Sequence, residues 1–88
     1  MALPRYAAKT DDNQQEIIDA LRKIGCSVVV IGTPVDLLCG YRRKNILLEV
    51  KRPGEKPRTL AQRKLLETWR GQVDIVTSPE QAIAIMTA

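Results

Sequence analysis

The stretch that decides the fold is Ile46-Leu47-Leu48-Glu49-Val50-Lys51. It reads as a buried β-strand, yet it carries two charges where a core strand ordinarily has none. Side chains alternate faces along a strand, so Ile46, Leu48 and Val50 share one face while Leu47, Glu49 and Lys51 share the other. Glu49 and Lys51 therefore stand together at the strand's end, just before the turn-forming Pro53-Gly54. Ten residues upstream of Ile46, Asp36 opens a second apolar run, Leu37-Leu38-Cys39. Antiparallel pairing of the two runs brings Asp36 beside Glu49 and Lys51, and two acids with an adjacent ammonium form a candidate hard-cation site. Burying Glu49 and Lys51 as a purely structural ion pair costs desolvation that pairing often fails to recover. The competing reading is an exposed pair on an edge strand.

Working outward, Cys26 to Ile31 is a run rich in β-branched residues and reads as a strand, broken by Gly32-Thr33-Pro34 before Val35 to Cys39 resumes. Gly40-Tyr41-Arg42-Arg43-Lys44-Asn45 is a polar turn leading into the central strand, long enough for a loop beyond the tightest hairpin types. Further upstream, Thr10-Asp11-Asp12-Asn13 is a cluster of N-cap residues whose acids suit the positive end of a helix dipole. Ile17, Ile18, Leu21 and Ile24 then make an amphipathic stripe, and Gly25 is a natural stop. Glu16 stands at the edge of that stripe, sharing a face with Ala20 and Ile24, where its carboxylate either reaches into a site or is simply solvated. Downstream, Arg52 to Arg58 is a charged loop, and Thr59-Leu60-Ala61-Gln62 has the pattern of a capping box. It opens a helix through Arg70 with Leu65, Leu66 and Trp69 on its apolar side, ended by Gly71. Gln72 to Thr77 is a further strand, and Ser78-Pro79 begins a last helix with Ala82, Ile83, Ile85 and Met86 on its apolar face. The order is α-β-β-β-α-β-α, a single α/β domain over residues 1–88 with a central mixed sheet, and residues 1–9 read as a loose arm.

The 88 residues suffice for one domain with a small core. Apolar residues make up 44% of the chain but only three are aromatic, so that core is aliphatic. Histidine is absent, which excludes a Ser-His-Asp triad, an imidazole base and the usual catalytic zinc sites. Catalysis, if any, falls to carboxylates, lysine, backbone groups and a bound Mg²⁺. Cys26 and Cys39 lie in apolar runs without Cys-x-x-Cys spacing and read as buried reduced thiols, which suits a cytoplasmic protein. There is no apolar run of about eighteen residues to cross a membrane, and residues 1–10 lack the apolar segment of a signal peptide. The net charge of +4 is placed unevenly. Residues 26–58 hold seven basic side chains against three acidic ones, while the flanking thirds are each balanced. A basic surround of this kind suits a polyanion such as nucleic acid, or is merely a soluble surface.

Glu16 on a first helix, then Asp36, then Glu49-x-Lys51, then Gln62 on a second helix is an order similar to that of the PD-(D/E)XK nuclease superfamily. More narrowly, Asp36-Leu37-Leu38, Leu48-Glu49-Val50-Lys51, Leu60-Ala61-Gln62-Arg63 and Trp69-x-Gly71 resemble the small stand-alone VRR-NUC domains of phages and bacteria. The similarity runs from about Lys9 to Ile83. The family's usual proline before the aspartate is Val35 here, a departure that touches the shape of the loop rather than the acid.

The resemblance implies a restriction-endonuclease-like fold and a metal-dependent endonuclease that hydrolyses DNA phosphodiester bonds. It implies that Asp36 and Glu49 bind Mg²⁺ or Mn²⁺, with the Val50 carbonyl as a further ligand and Glu16 as an additional acid acting directly or through water. Lys51 then orients and helps deprotonate the attacking water, or stabilises charge on the phosphate. Gln62 holds Lys51 or the water, although it also stands where a capping box needs it. Arg42, Arg43, Lys44, Arg52, Lys56 and Arg58 are expected to contact backbone phosphates, each being otherwise a solvated charge. Stand-alone relatives resemble Holliday-junction resolvases, so branched DNA and a second copy of the chain are the expected partners, with no membrane. Two alternatives stand beside this reading. One is a catalytically silent nucleic-acid-binding module on the same fold; the other is a nicking or end-trimming nuclease subunit of a replication or repair complex.

Overall fold

The computed structural model describes residues 11–56 and 59–88. The arm over residues 1–9, Thr10, Pro57 and Arg58 lie outside them. The elements follow the expected order: α1 (Asp12–Lys23), β1 (Ser27–Val30), β2 (Leu37–Tyr41), β3 (Lys44–Val50), α2 (Leu60–Thr68), β4 (Val73–Val76) and α3 (Pro79–Thr87). Each helix begins where a side chain takes up an orphan N–H of the first turn. Asp11 accepts from the Gln14 N–H at 2.7 Å, Thr59 from the Gln62 N–H at 3.1 Å, and Ser78 from the Gln81 N–H at 3.2 Å.

The sheet has the order β1-β2-β3-β4, with the first three strands antiparallel and β4 parallel to β3. A parallel neighbour needs a crossover, and α2 supplies it. Alternation gives the sheet two distinct faces. One face carries Val28, Leu37, Cys39, Ile46, Leu48 and Val76, which form the core with Ile17, Ile18 and Leu21 of α1 and Ala82 and Met86 of α3. Each fully buried aliphatic side chain there contributes about 1.5–3 kcal/mol. Cys26 and Cys39 are both buried and free, and burial pushes the Cys39 thiol up to about 12, so it is chemically quiet. The other face carries Val29, Leu38, Leu47 and Val73 in one row across four strands, and Glu49 beside Ile75 in the next. Among the described residues, no helix is long and apolar enough to cross a membrane.

Two details depart from the sequence expectation and one narrows it. The hairpin joining β2 to β3 is of the tightest kind, because the strands run on through Tyr41 and Lys44 and leave only Arg42-Arg43 as the turn. Both arginines adopt left-handed backbone, with φ of 48° and 67°, at a cost on the order of 1 kcal/mol each. Within the expected Thr10–Asn13 cluster, Asp11 is the N-cap of α1. Finally, α2 ends at Thr68, short of Arg70. Trp69 has turned to extended backbone as its C-cap and is 50% exposed, and none of the residues of α2 is fully buried.

Candidate active site

Leu37 pairs with Leu48, so one further step of the register sets Asp36 opposite Glu49 on the same face. The backbone ladder stops there and carboxylates replace it. The Asp36 N–H donates to Glu49 Oε1 at 3.1 Å, and the Val50 N–H donates to Asp36 Oδ2 at 2.8 Å. Asp36 is fixed from behind as well, since its carbonyl accepts from the N–H groups of Ile31 at 2.7 Å and Gly32 at 3.2 Å. Gly32 makes that approach with φ +94°, a conformation that glycine adopts at little cost.

Two acids facing one another across strands repel, and Glu49 is only 2% exposed. Burial raises its carboxyl from 4.5 to about 8. The hydrogen bond and the charge of Asp36 add to the rise, while Lys51 and the Asp36 N–H oppose it. Lys51, one residue beyond β3, is 6% exposed. Its Nζ lies 3.7 Å from Glu49 Oε2 and donates to Gln62 Oε1 at 3.4 Å. The contact to Glu49 is too long for a hydrogen bond, so Glu49 Oε2 is buried without a hydrogen-bond partner. The main chain of Lys51 is tied on two sides: its N–H donates to the Val76 carbonyl at 3.0 Å, and its carbonyl accepts from Asn13 Nδ2 at 3.3 Å.

These contacts place the start of every helix at this end of the sheet. Asn13 and Gln62 reach Lys51 from the first turns of α1 and α2. α3 begins just beyond Val76, the partner of Val50. Three positive dipole ends thus converge on the end of β3, a field that favours an anion such as phosphate.

The fold brings together Asp36, Glu49, Lys51 and Gln62, four of the residues singled out in the sequence. Glu16 is exposed on α1, and among the described residues no three acids, thiols or imidazoles gather into a metal cluster, so Glu16 does not join the pair. The basic residues separate into two groups. Arg52 and Lys56 are exposed in the loop leaving Lys51, whereas Arg42, Arg43 and Lys44 stand at the opposite end of β3, about 20 Å away at the rise of a strand. Arg58 lies outside the described residues. Sequence reasoning missed Asn13, which reads as one more capping residue; the signal for its other role is that it stands two positions inside the cap, where its amide is free to point away from the helix.

The donor set suits a hard divalent cation. Asp36 and Glu49 offer carboxylate oxygens, one of them buried without a partner, and the Val50 carbonyl lies on the strand edge that its N–H turns toward Asp36. A cation there would offset the burial, and after it the Asp36 charge, that hold the Glu49 carboxyl high. Searches of protein-family models, curated proteins and solved structures return no match for this chain.

Proposed function

We propose that the protein is a metal-dependent endonuclease that hydrolyses DNA phosphodiester bonds, of the VRR-NUC type within the PD-(D/E)XK superfamily. The observation that carries this reading is the buried Glu49 opposed by the half-buried Asp36, with Lys51 Nζ 3.7 Å from Glu49 and steadied by Gln62. A purely structural site has no reason to bury Glu49 and then oppose it with a second carboxylate. Asp36, Glu49 and the Val50 carbonyl would hold Mg²⁺ or Mn²⁺, with exposed Glu16 entering through water. The bound cation supplies Lewis-acid stabilisation of phosphate charge and a lowered pKa for water.

The chain's own groups do the rest. Lys51 stands beside the reacting phosphate, where it orients water or neutralises developing charge. Gln62 and Glu49 restrict where its Nζ can sit, and Asn13 restricts the backbone that carries it. The converging helix N-termini favour the phosphate itself. Arg52 and Lys56 bring charge to this end that positions a backbone without reading bases. Branched DNA recognised by shape, with two copies acting together, is the substrate and assembly this reading favours.

The experiment is cleavage of labelled four-way junction, flap and linear duplex DNA with Mg²⁺, Mn²⁺ or EDTA, beside Lys51→Ala. Metal-dependent cutting of branched DNA that the variant loses is the expected result. Cutting confined to flaps or ends points to a trimming subunit, and binding without cutting under any metal points to a silent binding module.

A further inference from the structure

The Arg42-Arg43 turn lies at the far end of β3 from the carboxylates, and its chemistry is unexplained by the fold. Two-residue hairpin turns with positive φ at both positions favour Asn-Gly or Asp-Gly. Here two arginines hold φ of 48° and 67°. The hairpin requires that backbone but not these residues, and two arginines bearing its strain where Asn-Gly would serve point to a use for the side chains. Both side chains are exposed, and among the described residues no carboxylate pairs with either. The Arg42 guanidinium lies over the Tyr41 ring, 5.1 Å from its centroid. Lys44 has a different task, since its Nζ donates to the Ala88 carbonyl at 2.7 Å and braces the base of the turn against the end of α3. The result is a pair of planar guanidinium forks on a braced support, a shape that suits phosphate oxygens.

The spacing is set by the strand. β3 runs from Lys44 to Val50, so the turn stands about 20 Å from Glu49. Phosphates on one strand of a duplex advance about 3.4 Å per base pair, which makes 20 Å about six base pairs.

We propose that the Arg42-Arg43 turn is a second, remote phosphate contact, gripping a duplex arm of nucleic acid about six base pairs from the phosphate at Asp36 and Glu49. The inference rests on the nuclease reading for where the cut lies, and it adds the length of arm that the substrate must carry.

The test is the double variant Arg42→Asn, Arg43→Gly, which gives the turn its favoured sequence and so keeps the fold while removing both charges. Its urea midpoint is expected at or above that of the native chain. Binding is read by fluorescence anisotropy in EDTA on four-way junctions with one arm trimmed from about twelve to about four base pairs. The native chain should lose about tenfold in affinity once the arm falls below about six base pairs, and the variant should bind at the weaker level throughout. Its log–log salt slope should be shallower by about 2, and Arg42→Lys with Arg43→Lys should recover most of the affinity. Native affinity in the Asn-Gly variant, or a loss that ignores arm length, overturns the proposal, as does tip-dependent binding of polyglutamate in place of DNA. Cutting that survives such a result leaves the nuclease reading standing. Tip-dependent binding without cutting under any metal removes that reading and keeps the remote contact.

Discussion

Replacing Glu49 with glutamine keeps the shape of the side chain and removes its charge. In the native chain that charge is buried, faces Asp36 across the β2–β3 register, and has Lys51 as its cationic neighbour at 3.7 Å. Burial first, and then the hydrogen bond and charge of Asp36, raise the carboxyl from 4.5 to about 8. A group whose folded value lies above its unfolded one contributes stability that is fully present below the unfolded value and is lost as pH rises through the folded value. The window is therefore pH 4.5 to about 8, and the metal-free protein loses stability across it. At about 1.4 kcal/mol per unit the loss is on the order of 4 kcal/mol, against a total of roughly 5–15 kcal/mol for a domain.

Glu49→Gln has no such slope. Urea unfolding in EDTA, followed by circular dichroism or by the fluorescence of the single tryptophan, Trp69, gives the comparison. Near pH 5 the two proteins should be about equally stable, and near pH 8 the variant should exceed the native chain by roughly 2–4 kcal/mol. Mg²⁺ or Mn²⁺ added at the alkaline end should stabilise the native chain and leave the variant unmoved, because only a carboxylate repays the cation. A native stability flat across this window, or a glutamine that destabilises at the alkaline end, would refute the assignment of the site's cost to Glu49.

Two further substitutions probe how Lys51 is held. Asn13→Asp removes the donor to the Lys51 carbonyl, while an acid in the first turn still suits the helix dipole. Global stability should stay within about 0.5 kcal/mol of native, and the single-turnover cleavage rate should fall with DNA affinity unchanged; an unchanged rate would show that Asn13 positions nothing. Thr59→Ala removes the cap of α2 and should cost about 1 kcal/mol. Because α2 has no fully buried residue to anchor it, amide exchange should quicken across Leu60–Thr68 while the amides of β2 and β3 keep their protection.

How much of this could be read in the sequence depends on whether the deciding interaction is local. Ser78-Pro79 and Thr59 announce their helices because a cap is a contact within one turn, and both side chains accept the N–H three residues on. Ile17, Ile18 and Leu21 announce the buried face of α1 by spacing alone, and all three are fully buried. Asp36 could be placed beside Glu49 because both stand at the ends of apolar runs that pair. The turn between those runs was less legible, since Arg42-Arg43 lacks the residues that ordinarily mark a two-residue hairpin. Trp69 misled in the opposite sense: its spacing fits the apolar side of α2, but the chain leaves the helix there. Glu16 shares the helix edge expected of it yet stays exposed and apart from the acids, because helical spacing fixes a direction and not a distance. The bond from Asn13 to Lys51 spans 38 positions, and no local pattern encodes it.

Among the described residues, local rules are broken most plainly at the two ends of β3. At one end a half-buried acid opposes a buried one, and Glu49 Oε2 is buried without a hydrogen-bond partner. At the other end two arginines hold a turn that suits asparagine and glycine. Between them β3 is an ordinary strand: Ile46 and Leu48 lie in the core, and every step from Lys44 to Leu48 pairs in register with β2. A chain shaped for stability alone would place apolar or amide side chains at position 49 and a permissive pair at 42 and 43. Natural sequences that violate local preference do so where something besides folding is served. The two violations sit about 20 Å apart on one rigid strand, so a single element sets the distance between the proposed cutting point and the proposed grip on the duplex. Changing the length of β3 by a hairpin-preserving pair of residues should therefore shift the arm length that the tip demands by about two base pairs, without altering the chemistry at Asp36 and Glu49.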